Sequence, residues 1–189
     1  MGRRILGIAG PPGAGKTTYA EGLVADSERT GTRSAYLPMD GFHLADRALV
    51  ALGLLDRKGA PETFDAWGYA ALLSRVREGR HTVWAPGFDR ALEQPLAGVI
   101  AVATDTGLVV TEGNYLLLDW PEWRSVRAQL DEVWWLDCRE DVRRSRLVAR
   151  HVEFGKSPEA AEAWVARVDD ANAASVAAGR SRADRVVTV

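Results

Sequence analysis

Residues Gly7 to Leu23 read GIAGPPGAGKTTYAEGL. The apolar run before the glycines, Ile5 to Ala9, suits a short buried strand. Residues 15–27 read as a helix. Between them Gly10, Pro11, Pro12, Gly13, Ala14, Gly15, Lys16 and Thr17 fit G-x-x-x-x-G-K-[ST] at every fixed position. Glycines let the backbone curl so that several N–H groups point inward. Those groups and the positive end of the following helix cradle phosphate oxygens. Lys16 reaches the outer phosphates, and the Thr17 hydroxyl, followed by Thr18, can ligate the Mg²⁺ that phosphates bring. A glycine-rich turn that binds nothing is the competing reading. The strand before the loop and the helix after it tell against that, so a nucleoside triphosphate with Mg²⁺ is expected here.

Outward from this loop, apolar strands alternate with helical segments. Residues 34–40, SAYLPMD, read as a second strand ending on Asp40. In DAWGYAALLSRVREG, Tyr69, Leu72, Leu73 and Val76 recur at i, i+3, i+4, i+7, one face of a helix, and Gly79 is a plausible stop. Residues 81–89 read as a strand and turn. Two apolar runs flank the Asp105–Gly107 turn, and residues 131–138 form another buried run. Pro121 opens a helix. A long helical region, 140–178, breaks at Phe154–Pro158, where Ser157 and Pro158 restart it. The last strand is ADRVVTV. The expectation is one α/β domain over residues 1–189, three layers with a mainly parallel sheet covered on both faces, and a small helical lid near 143–165.

The chain has 189 residues, 24 basic and 26 acidic, a formal charge of −2. That balance argues against a dedicated nucleic-acid binder. Cys138 is the only cysteine, so no internal disulfide forms. It reads as a small buried filler. No apolar run approaches the roughly 18 residues of a membrane span, and MGRRILGIAG is too short for a signal segment. A cytoplasmic protein is expected, with no nucleic-acid or membrane partner. A homodimer is left open.

The phosphate loop alone does not choose between switch, motor and kinase. Neither Asn114 nor Asn172 is followed by lysine, so the guanine-reading NKxD element is absent. In doubly wound sheets ligands bind beyond the carboxyl ends of strands. Asp40 and Glu112 both fall at such ends and belong on the loop's rim. Asp40 there can accept the proton of a substrate hydroxyl, and Glu112 can hold Mg²⁺ directly or through water. Helix capping or a surface ion pair is the alternative for each.

GIAGPPGAGKTT, PMDGFHL, RKGAPETFD, PGFDR and VTEGNYLLL follow in this order. Together they resemble the superfamily of phosphoribulokinase, uridine kinase and bacterial type I pantothenate kinase. The chain is most similar to its short members, the nucleoside/nucleotide kinase-like or fructokinase-like proteins. The resemblance covers nearly the whole chain. It implies an ATP-dependent kinase, with Mg²⁺, acting on a hydroxyl of a small metabolite such as a sugar, nucleoside or pantothenate-like compound. It implies Asp40 as catalytic base, Lys16 and Thr17 as phosphate and metal groups, and Glu112 as the acid near the metal. It carries over Lys58 and Asp65 as walls of the acceptor pocket, with a solvated loop charge the alternative for Lys58; His43 is read as contacting the acceptor or orienting a carboxylate, or equally as bonding backbone, and Phe88, Arg90 and Asn114 are read as further acceptor-side residues.

Two departures stand out. Pantothenate kinase has P-V-Y-S-H where this chain has Pro86 to Arg90, nearer to the uridine kinase P-x-Y-D, with Phe88 for tyrosine. The chain also lacks much of the pantothenate kinase length. Arg90 is therefore read as gripping a polar or anionic acceptor, or as pairing with Asp89. Arg143, Arg146 and Arg150, at i, i+3, i+7, lie within about 60° on a helix, in the position the family uses for its lid. Arg146 is read as catalytic and Arg150 as a nucleotide contact, against the alternative of a solvated face balanced by Glu140, Asp141 and Glu153. Arg167 and Asn172 resemble an R-x-x-x-x-N pattern of the short members, without an assigned role. Trp67 and Trp84 read as packing residues. A nucleotide-dependent binding protein and a nucleoside monophosphate kinase remain the rival readings.

Overall fold

In a computed structural model describing residues 2–189, strand β1 spans Arg4–Ala9 and runs into the glycine loop. The chain continues through α1 (Lys16–Arg29), β2 (Ser34–Pro38), α2 (Asp46–Leu52), α3 (Ala66–Glu78) and the hairpin strands β3 (Val83–Asp89) and β4 (Gln94–Val102). Then come β5 (Leu108–Gly113), α4 (Pro121–Arg127), β6 (Glu132–Asp137), α5 (Glu140–Glu153), α6 (Pro158–Trp164), α7 (Asp170–Ala177) and β7 (Arg185–Thr188). The main sheet has the order β2–β5–β1–β6–β7, and its pairings are parallel.

The sheet is buried on both faces, which is why its strands read as unbroken apolar runs. Ile5 and Ala9 of β1 join one cluster, with Tyr69 and Leu73 of α3 and Trp123 and Val126 of α4. Leu6 and Ile8 face the opposite way, onto Ala20 and Leu136. The helical face expected in α3 is buried at all four positions, and Gly79 ends that helix with φ 63°. Pro121 opens α4. The break after α5 falls where expected: the Ser157 hydroxyl accepts from the Ala160 amide, and Pro158 begins α6.

The two apolar runs around the Asp105–Gly107 turn go to different sheets. The first apolar run before Asp105 does not enter the main sheet. It forms β4, antiparallel to β3, with Val83 opposite Val102 and Ala85 opposite Ile100. Much of β4 is solvent-exposed, as a hairpin with one covered face allows. This hairpin carries Phe88 and Arg90 toward the rim. No helix among the described residues is long and apolar enough to cross a membrane.

Candidate active site

The carboxyl ends of β1, β2 and β5 open onto one cleft of about 760 Å³. The glycine loop forms its floor. Gly13 and Gly15 hold left-handed backbone, φ 80° and 91°. A Cβ on Gly13 would stand 2.8 Å from the Arg143 carbonyl oxygen and 2.8 Å from Leu147, so only glycine lets the loop pass beneath α5. The first turn of α1 lacks intrahelical acceptors for its amides, as any helix start does, and no side chain caps it. That uncapped end faces the cleft through Lys16, Thr17 and Thr18.

Lys16 is 7% exposed and donates to Asn114 Oδ1 at 2.7 Å and to the Pro11 carbonyl at 3.0 Å. Burial pushes its ammonium pKa down; the charges of Glu112 and Asp40 oppose the shift, and Arg150 adds to it. Glu112, also 7% exposed, accepts from Tyr36 at 2.9 Å and from Thr17 Oγ1 at 3.3 Å. Burial raises the Glu112 pKa, while the Lys16 charge and the two hydroxyl donors hold it down.

Asp40 sits on a 3₁₀ turn, Met39–Phe42, directly after β2. Gly41 packs against the Pro86 carbonyl with no room for a Cβ, which brings the hairpin close to this turn. Arg90 Nη2 then reaches Asp40 Oδ2 at 2.7 Å. Asp89 instead accepts from the amides of Ala91 and Leu92, so the Arg90–Asp89 pairing does not form. His43 Nδ1–H donates to the Asp40 carbonyl at 2.9 Å. Its ring lies 4.0 Å from Phe64 and 4.8 Å from Phe88, centroid to centroid. Burial lowers the His43 pKa, against the pull of Asp40 and with help from Lys58 and Arg90. Lys58 lines the cleft but is bonded to Asp46 Oδ1 at 2.6 Å and to the Glu93 carbonyl.

Asp65 is not brought to the cleft. It caps α3, its carboxylate accepting from Gly68 N at 2.8 Å, because an aspartate just before a helix finds that amide first. The arginine stripe of α5 is divided. Arg143 is buried, donating to the Pro12 carbonyl and paired with Glu140 and Asp170; it anchors the helix to the loop. Arg146 donates to the Ala14 carbonyl at 3.3 Å, and both Arg146 and Arg150 line the cleft. Cys138 is half-buried, its Sγ 3.7 Å from Arg146 Nη1, and is not an interior filler. Trp67 and Trp84 are exposed and pack in no core.

Sequence reasoning left without a role several residues that line the cleft or bond to its walls. Tyr36 reaches Glu112 from β2. His151 Nε2 bonds Asp169 Oδ2 at 2.9 Å, and both line the cleft with Trp164 and Asn172. Asp169 ends a π-helical turn, Val165–Asp169, a local widening often found at functional sites. Asn172 could have been found from the R-x-x-x-x-N spacing. Arg167 of that pattern is exposed and lies over the Trp164 ring, 5.5 Å from its centroid.

A parallel sheet, a glycine loop running into an uncapped helix start, and carboxylates on the same rim make up a P-loop kinase fold. The Phosphoribulokinase / Uridine kinase family model matches residues 5–189, and the chain belongs to that family of kinases. Over 152 residues it is 36% identical to the ATP-dependent kinase-like protein notR' of Aspergillus versicolor, covering 75% of this chain and 88% of the relative. It is 35% identical over 189 residues to the uncharacterized protein YggC of Escherichia coli strain K12, covering 98% of this chain and 77% of the relative. Among solved structures, the candidate fructose transport system kinase of Silicibacter sp. TM1040 superposes with a TM-score of 0.91 at 39% identity, covering 98% of this chain and 90% of that one.

Proposed function

We propose that this chain is an ATP-dependent kinase that transfers the terminal phosphoryl group to a hydroxyl of a small metabolite. The supporting observation is the single cleft that joins the phosphate cradle at Gly10–Thr18 to Asp40, a carboxylate with one oxygen still open. Arg90 occupies Asp40 Oδ2. Among the described residues Oδ1 has no side-chain or backbone donor, which leaves it for the acceptor hydroxyl. Asp40 takes that proton while the acceptor oxygen bonds to phosphorus, the bridging P–O bond breaks, and ADP leaves. Lys16 and Arg146 stabilise charge on the transferring group, and Arg150 faces the same phosphates.

The residues present also fit Mg²⁺. Thr17 and Glu112 lie 3.3 Å apart at the cradle, and no three His, Cys, Asp or Glu side chains cluster as metal ligands there or anywhere else among the described residues. Two protein oxygens suit a cation that keeps waters and phosphate oxygens as its other ligands. Mg²⁺ would neutralise phosphate charge there.

The test is ADP release from Mg-ATP against a panel of sugars, nucleosides, pantothenate and their monophosphates, with Lys16→Ala as the blank. Asp40→Asn should lower kcat by about 10²–10⁴-fold and leave ATP affinity within about threefold. Turnover retained in that variant would remove Asp40 as the base.

A further inference from the structure

The two ends of the cleft differ in how their charges are matched. On the nucleotide side Arg146, Arg150 and Lys156 line the wall, and none is within an ion pair among the described residues. Arg146 meets only a carbonyl and a thiol, and Lys156 lies over the Trp164 ring, 4.6 Å from its centroid. Arg146 and Arg150, close to the glycine loop, are cations left for a polyphosphate.

On the acceptor side every lysine and arginine lining the cleft already has a carboxylate. Arg90 holds Asp40 at 2.7 Å, and Lys58 holds Asp46 at 2.6 Å. Asp56 and Glu93 line the same end and have no basic partner among the described residues. The remaining wall is aromatic: Phe64, His43 and Phe88 in contact. An anionic acceptor would meet two unmatched carboxylates there. Arg90 already spends Nη2 on Asp40 Oδ2, and an anion that drew the guanidinium away would leave a third. A compound with C–H faces for the rings and hydroxyls for the carboxylates meets no such cost.

We propose that the acceptor is an uncharged polyhydroxyl compound, a free sugar or polyol, and that Arg90 positions Asp40 instead of gripping an anion. This rests on the kinase reading above. Asp56 and Glu93 are then specificity residues, acting by repulsion.

The experiment compares free sugars and polyols with their matched phosphate esters and sugar acids, reading Mg-ATP-dependent ADP release and product mass. The uncharged member of the productive pair should show kcat/KM at least about 100-fold above its anionic partner. In Asp56→Lys/Glu93→Lys that ratio should fall about tenfold or more; both side chains are exposed, so folding is not at stake. Arg90→Ala should lower kcat about tenfold with KM for the uncharged acceptor held within about threefold, and Arg90→Lys should recover most of the loss. A preferred anionic member, a ratio unmoved by charge reversal, or an Arg90→Ala variant altered in KM alone would overturn the inference and leave the kinase intact. ATP binding with no turnover of any member would overturn the kinase reading, and this inference with it.

Discussion

Lys16 and Glu112 are both buried yet form no direct ion pair; each spends its hydrogen bonds on neutral groups. On the proposed function such an arrangement would serve phosphate and metal at the expense of the empty fold, since two desolvated charges are poorly repaid. Lys16→Met/Glu112→Gln should therefore unfold at or above the wild-type temperature, by up to about 10 °C, while ADP formation disappears. A drop of more than about 5 °C in a thermal melt would show that the charges stabilise the fold. His43 makes a different kind of prediction. Its ring titrates near 6.5 in the unfolded chain and lower in the fold, where burial opposes protonation. Between those two values the unfolded chain binds more protons, so stability falls as pH drops below 6.5 through that window. Urea unfolding at pH 7.5 and pH 5.5 should show a smaller acid loss in His43→Gln than in the wild type. Equal losses would place the acid sensitivity elsewhere.

At the scale of elements, the glycine loop and α5 are one packed unit. Arg143 clamps the helix to the Pro12 carbonyl, and Gly13 supplies the clearance beneath it. Gly13→Ala adds a left-handed alanine and an overpacked contact, together about 2–5 kcal/mol, and should lower the melting temperature by about 5–15 °C. ATP affinity, read by calorimetry, should fall with it because the cradle must shift. A melting temperature within about 2 °C of wild type would mean that α5 yields freely. The arginine stripe of α5 was visible as a periodic pattern, but its division was not. Periodicity states that three side chains share a face; it does not state which of them meets a neighbouring loop.

Across the whole molecule, α5, α6 and the π-helical turn to Asp169 cover the cleft from one side, and the β3–β4 hairpin covers it from the other. Arg146, Arg150 and Lys156 of the helical cover line the cleft, and Phe154 between α5 and α6 is exposed. Hydrogen exchange across residues 140–169 should slow by about tenfold when a non-hydrolysable ATP analogue and Mg²⁺ are added, with little change in β1 and β5. Uniform protection over the chain would argue for global stabilisation without lid closure.

The sequence alone determined the glycine loop between β1 and α1, because its backbone curvature depends on a local run of glycines. It also determined the parallel sheet, since doubly covered strands must be apolar on both faces, and it put Asp40 and Glu112 at strand ends, hence on one rim. Tertiary structure decided what each polar side chain found when it got there. Asp65 met the Gly68 amide three residues on and became a cap. Arg90 met Asp40 across a turn where Gly41 lets the hairpin approach. Tyr36 reached Glu112, and His151 and Asp169 entered the cleft, from segments without a local motif. Those outcomes depend on distances between residues far apart in the chain, and no spacing along the sequence encodes them.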